Sequence, residues 1–126
     1  MKYIIATILL TLFTSYSYSD DLGYDGFNAE GKSVEQTLED LKNDKSFSVQ
    51  EQDGWVIASS NQGVMFSFTP KNHDAHPAYV ERRVIEREGA IHIAMSVRCG
   101  ASKEACDALV KSFQELNKKI MESMNP

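Results

Sequence analysis

Cys99 and Cys106 are the residues whose chemistry is best specified by type and spacing. Cys99 closes a strand-like pattern and Cys106 falls in the first turn of a helical one, so the segment between them can reverse the chain and bring the sulfurs together. Closing so short a loop adds about 2.5 kcal/mol in the chain-entropy picture. A redox or metal pair is the alternative. Redox motifs hold their cysteines closer, in Cys-X-X-Cys order, and a zinc site needs a full tetrahedral ligand set. A structural disulfide is therefore the expectation.

The second cluster is His73-Asp74-Ala75-His76, two imidazoles and a carboxylate on one loop, with His92 as a distant third nitrogen. These are weak metal-ligand candidates, because the spacing matches no specific site and His92 projects from mid-strand. The plainer reading of the same residues is a turn-rich loop, with Asp74 bonding local amides and Pro77 fixing the start of the next strand. A third set, Tyr79, Glu81, Arg83, His92, Ser96 and Arg98, falls on one face of a predicted strand pair. If that face is open to water, Arg83 and Arg98, about one pleat repeat apart, form a cradle for a carboxylate or sulfate-like group. Cross-strand pairing with Glu81 on a solvated face is the plainer reading. No serine sits in a Gly-X-Ser-X-Gly elbow and no glycine-rich phosphate loop is present. No catalytic residue, enzymatic activity or cofactor is expected.

The positioning elements follow from periodicity. Lys2, the apolar run from Ile4 to Phe13, and Ser17-Tyr18-Ser19 read as a secretory signal peptide over residues 1–19. The apolar run is shorter than the roughly 20 residues a membrane-spanning helix needs, so no stable membrane anchor is expected. Residues 20–32 read as a flexible lead-in that docks at Tyr24 and Phe27, and residues 33–123 as one α+β domain. Ser33-Val34-Glu35-Gln36 has capping-box spacing and opens a short helix through Val34, Leu38 and Leu41 to about Asn43. An antiparallel meander of about five strands follows. Its first hairpin is read with a three-residue loop, Gln52-Asp53-Gly54, which sets Val49 across from Ile57. After Asn61-Gln62-Gly63, residues Val64, Phe66 and Phe68 are placed on the face of Trp55 and Ile57.

Pro70 to Ala78 is a loop. Strands over about 79–87 and 90–99 then meet at Glu88-Gly89, pairing Val84 with Ile93 and Val80 with Val97. Arg82 falls on the buried side beside Met95 and is expected near a sheet edge, extending its charge outward. Ser102 caps a final helix with the apolar stripe Cys106, Leu109, Val110, Phe113, Leu116 and Ile120. Both helices are expected on one face of the sheet.

Charge narrows the partners. The chain carries 13 basic and 18 acidic residues, a net charge of −5. Loss of Lys2 with the leader makes the balance −6. Nucleic acid is a poor partner for such an acidic chain, because a phosphate-binding surface needs clustered Lys and Arg and usually a basic domain, whereas a basic envelope protein suits it.

Phe66-Ser67-Phe68-Thr69-Pro70, His76-Pro77-Ala78, Arg83 and Cys99-Gly100-Ala101-Ser102-Lys103-Glu104-Ala105-Cys106 resemble a group of small exported Gram-negative proteins of unknown function, over most of residues 55–116. The resemblance implies an envelope setting and transfers no catalytic residue. The expected protein is a small soluble periplasmic binding or accessory protein, with secretion as the further destination the same leader allows. It is expected to act through a protein–protein surface as an inhibitor or immunity-like partner. The alternative is a metal or small-anion binder using the His73–His76 loop or the Arg83/Arg98 face.

Overall fold

The structure, a computed structural model, describes residues 22–26 and 33–125. The leader and Phe27 lie outside the described residues. In chain order the elements are β1 (Asp25–Gly26), α1 (Val34–Lys42), β2 (Phe47–Gln52), β3 (Trp55–Ser60), β4 (Val64–Phe68), β5 (Ala78–Arg87), β6 (Ala90–Cys99) and α2 (Lys103–Met124). They form an α+β fold: a helix, an antiparallel five-strand meander and a C-terminal helix. β1 adds a short parallel strand beside β6, giving the order β1-β6-β5-β4-β3-β2.

Local chemistry sets the boundaries. Ser33 Oγ accepts from the Gln36 amide at 3.1 Å and starts α1, while the Gln36 side chain bonds Asp40 instead of closing the reciprocal half of the capping box. Asp44 Oδ1 accepts from the Ser46 hydroxyl at 2.6 Å and its amide at 2.9 Å, which organises the turn into β2. Those two bonds hold the Asp44 carboxyl below its ordinary value. Ser102 Oγ accepts from the Ala105 amide and starts α2.

Two hairpin turns use a positive-φ pair: Asp53 (53°) with Gly54 (84°), and Glu88 (53°) with Gly89 (78°). Both are two-residue loops in the mirror-image turn that matches strand twist. At Glu88-Gly89 the observed register, Val84 to Ile93 and Val80 to Val97, is the one expected from the sequence. At Asp53-Gly54 it is not. Gln52 pairs with Trp55 and Val49 with Ala58, so the three-residue loop is corrected to two. Gly54 has a further constraint, since a Cβ there would stand 3.2 Å from the Pro70 ring.

A second parity error lies across the Asn61–Gly63 turn. Phe66 pairs with Ala58 and Phe68 with Val56, so the phenylalanines share the face of Val56 and Ala58, not that of Trp55 and Ile57. Strand side chains alternate in direction, and the consequence is two cores. Val34, Leu41, Ala58 and Phe68 form one cluster, supported by Leu38, Phe47, Val49, Val56, Phe66 and Tyr79. The second contains Val80, Val97, Leu109, Val110 and Phe113 with both half-cystines, and draws in Trp55 and Met95. Tyr79 and Val80 are consecutive on β5 and point to opposite faces. The helices therefore lie on opposite faces, α1 over the Tyr79 side and α2 over the Val80 side. Their expected placement on one face is corrected to three layers.

On α2 the buried line runs Cys106, Leu109, Val110, Phe113 and Asn117. Leu116, expected in the stripe, is 42% exposed, and the polar Asn117 takes the inward position at 5%. The Cys99–Cys106 disulfide forms, joining the end of β6 to the first turn of α2 with Cα atoms 5.8 Å apart.

Tyr24 docks as expected: it packs against the α2-side core and donates to Asp107 Oδ1 at 2.9 Å. The Lys103 ammonium, 2.7 Å from Asp107 Oδ2, and then the Tyr24 hydroxyl hold the Asp107 carboxyl below its ordinary value. A depressed carboxyl pKa stabilises the fold above the unfolded value, about 3.9, and that contribution disappears as pH falls through the lower folded value. The Tyr24 contact should thus be intact at neutral pH and loosen only in strong acid. Tyr24 ring resonances followed by NMR against pH check this; release at neutral pH would contradict it.

Candidate functional site

The third cluster expected from the sequence does not assemble into one site. Tyr79 belongs to an aromatic group under α1, its ring centroid 5.6 Å from Phe66 and 5.3 Å from Phe68. Arg98, opposite Tyr79, is only 8% exposed. Arg83 turns to Glu81, with Nε at 2.8 Å and Nη2 at 2.7 Å from Oε1. His92 is exposed across from Ile85, further along the same strands. Arg98 pairs with Tyr79 and Arg83 with Ala94, so the arginines stand four residues of strand apart, roughly 13 Å at about 3.3 Å per residue. The expected spacing of one pleat repeat is corrected to two, and the two guanidinium groups form no shared cradle.

The histidine loop also separates. His73 Nδ1 accepts from the Ala75 amide at 3.0 Å, and its ring meets the Trp55 edge at a centroid distance of 5.3 Å on the α2 side. His76 Nδ1 lies 3.0 Å from Thr69 Oγ1 and 3.2 Å from the Thr69 carbonyl. A carbonyl only accepts, so the contact with it requires a proton on Nδ1. Thr69 Oγ1 in turn bonds both the amide and the carbonyl of Ala78, which locks the loop ends together across the cis His76–Pro77 peptide. His73 and Asp74 line one hollow, beside Ser102 and Glu104, while His76 lines another. Among the described residues no group of three or more His, Cys, Asp or Glu side chains is placed to hold a metal ion.

The hollow that takes His76 is the larger concave feature, a cleft of about 630 Å³ between the start of α1 and the loop joining β4 to β5. Val34, Leu38, Val56, Phe68, Pro70 and Pro77 make its apolar walls. Glu35, Glu51, Lys71 and His76 stand exposed at the rim. Its size falls within the range of small-molecule and side-chain clefts. Each wall residue has a local origin. Val34 is the first residue of α1, Val56 and Phe68 are cross-strand partners, and Pro70 closes β4 against Gly54. With apolar walls and a rim of two carboxylates and one ammonium, the cleft can take an apolar group carried beside a cation that sits at Glu35 or Glu51.

Sequence reading did not find this cleft, because Val34, Glu35 and Glu51 join the Pro70–Pro77 loop only once α1 is placed over the Phe68 face. Its one sequence-level signal was the pair Thr69-Pro70 and His76-Pro77 bracketing the same loop. Arg82 is the other feature the sequence misplaced. It sits on β5, inside the sheet and under α2, with Cζ 5.2 Å from the Phe113 ring centroid, so the expected place near a sheet edge is corrected.

No protein-family model, no curated protein and no solved structure matches this chain.

Proposed function

We propose that this chain is a small periplasmic binding or accessory protein that recognises a basic partner polypeptide through the α1 cleft, without catalysis, in an inhibitor- or immunity-like role. The observation that carries this reading is the apolar cleft with Glu35 and Glu51 outnumbering Lys71 at its rim, on a chain of net charge −5. Apolar walls supply contact area, and the carboxylates favour a flanking Lys or Arg and accelerate encounter in a salt-dependent way. The secretory leader pattern supports an envelope location. Among the described residues no helix is long and apolar enough to cross a membrane.

A labelled sample titrated with peptides that carry an apolar anchor between lysines tests the reading by NMR. Shifts should concentrate at Val34, Leu38, Glu51 and Phe68. Neutralising both rim acids in a Glu35→Gln/Glu51→Gln variant should weaken binding about tenfold, a loss of about 1.4 kcal/mol, and flatten its salt dependence. Shifts scattered over the surface, or binding indifferent to both substitutions and to salt, would reject the cleft as the recognition site. Intact mass of the protein purified from the envelope should correspond to loss of residues 1–19; retention of Met1 would reject the location.

A further inference from the structure

Arg82 presents a chemical imbalance on the face opposite the cleft. Its guanidinium is half-buried beneath α2, and its contacts are a weak acceptor and a long bond: Nη2 lies 3.2 Å from the Met65 thioether Sδ and Nη1 3.5 Å from Asn117 Oδ1. The Phe113 ring covers one side of the guanidinium plane. Nε is shielded from solvent and has no hydrogen-bond partner. Among the described residues no carboxylate forms an ion pair with Arg82. Asn117 itself is buried and spends its amide nitrogen on Met95 Sδ at 3.4 Å, so it offers the cation one long contact and nothing more. A buried charge is ordinarily paired, and arginine keeps its proton under all ordinary conditions.

That cation borders a hollow of about 250 Å³ whose other walls include Met65, Val84, Ile93 and Ile120, with the Ser59 position at one side and no acidic residue in the lining. Val84 stands at the rim with 49% of its surface exposed, an apolar side chain left facing water. We propose that this hollow binds a medium-chain fatty acid as its carboxylate. The carboxylate accepts from the Nη2–H of Arg82 in place of the thioether, and the acyl chain lies over Val84, Ile93 and Ile120. A hydrogen bond between two ions is the strong kind. The volume holds about eight heavy atoms at roughly 30 Å³ each, the size of a six-carbon carboxylate, and its open side leaves the last carbons of an eight-carbon chain over the Val84 rim. A single cation in an apolar lining suits a monoanion better than a phosphate dianion.

Octanoate is the probe, with octanol and methyl octanoate as uncharged controls of the same chain. Calorimetry should show octanoate at least about tenfold tighter than either control, and NMR should show the Arg82 guanidinium N–H resonances shifting at saturation. Arg82→Met should reduce octanoate to the level of octanol. Because that change alters a half-buried position, Val84→Glu provides a second test: at an exposed rim position it places a carboxylate beside Arg82 and should abolish octanoate binding with the folded spectrum retained. Equal affinity for octanoate and octanol, absence of binding at millimolar octanoate, or binding that leaves the Arg82 guanidinium N–H resonances unmoved would each overturn the proposal. An apolar peptide that depends on its free C-terminus and on Arg82, and outcompetes octanoate, would overturn the assignment to a fatty acid.

Discussion

Phe68→Ala is expected to destabilise the protein by about 3–5 kcal/mol, the range for emptying a buried aromatic position. Phe68 is 3% exposed, stacks near Phe66 at 6.3 Å and meets Tyr79 at 5.3 Å. It also lies against α1, which contributes only Val34 and Leu41 as fully buried side chains. A nine-residue helix has little stability of its own, so α1 holds its place through this face. Against a typical domain stability of about 5–15 kcal/mol, the loss is large enough to read directly from a urea transition. Val84→Ala, at a position 49% exposed, is the matched control and should stay within about 0.5 kcal/mol of the parent. Equal effects at the two positions would mean that the Phe68 face is not a core, and the three-layer arrangement would fail with it.

That arrangement is partly legible in the sequence, and particular residues show where legibility ends. Glu88-Gly89 separates two long strands whose apolar stripes match in only one register, so the pairing of Val80 with Val97 and Val84 with Ile93 follows from the residue pattern alone. β2 and β4 are shorter and offer fewer matched positions, so a one-residue choice of loop decides which face each side chain joins. With the wrong parity at two successive turns, Val49, Phe66, Trp55 and Ile57 fall together and imply one core. The corrective signal is β3 itself. Trp55-Val56-Ile57-Ala58 is apolar at every position, as expected of a strand covered on both faces.

Site residues are harder, for physical reasons of the same kind. His73 and His76 are near in sequence, but the turn between them sends one ring towards Trp55 and the other towards Thr69. Arg82 is visible as a charge in an apolar register, with Met65 and Met95 as its cross-strand partners. Edge placement is the simplest way to solvate such a charge. The fold instead surrounds it with a ring face, a thioether and an amide, contacts that sequence patterning does not encode.

The disulfide carries the other large effect. Replacing Cys99 and Cys106 together by alanine should cost about 2.5 kcal/mol from the released loop alone, with any void left at the two positions adding to it. The two sulfurs are bonded to each other and leave no free cysteine, so alkylation of the protein without reductant should label neither position, even after unfolding, while unfolding in the presence of reductant should expose both thiols. A denaturant midpoint shared by oxidised and reduced protein, or labelling of the untreated native form, would contradict this. Reduction has a further, asymmetric consequence. Both sulfurs belong to the core beneath α2, whereas Glu35, Glu51 and the Phe68 walls lie on the α1 side of the sheet. Under denaturant-free conditions where the reduced chain stays folded, it should therefore retain peptide binding at the α1 cleft while unfolding at lower urea. Loss of stability without loss of recognition is what separates a bond that secures the closing helix from one that shapes the binding site. A parallel loss of both would place the disulfide in the recognition machinery and undo the division of labour between the two faces.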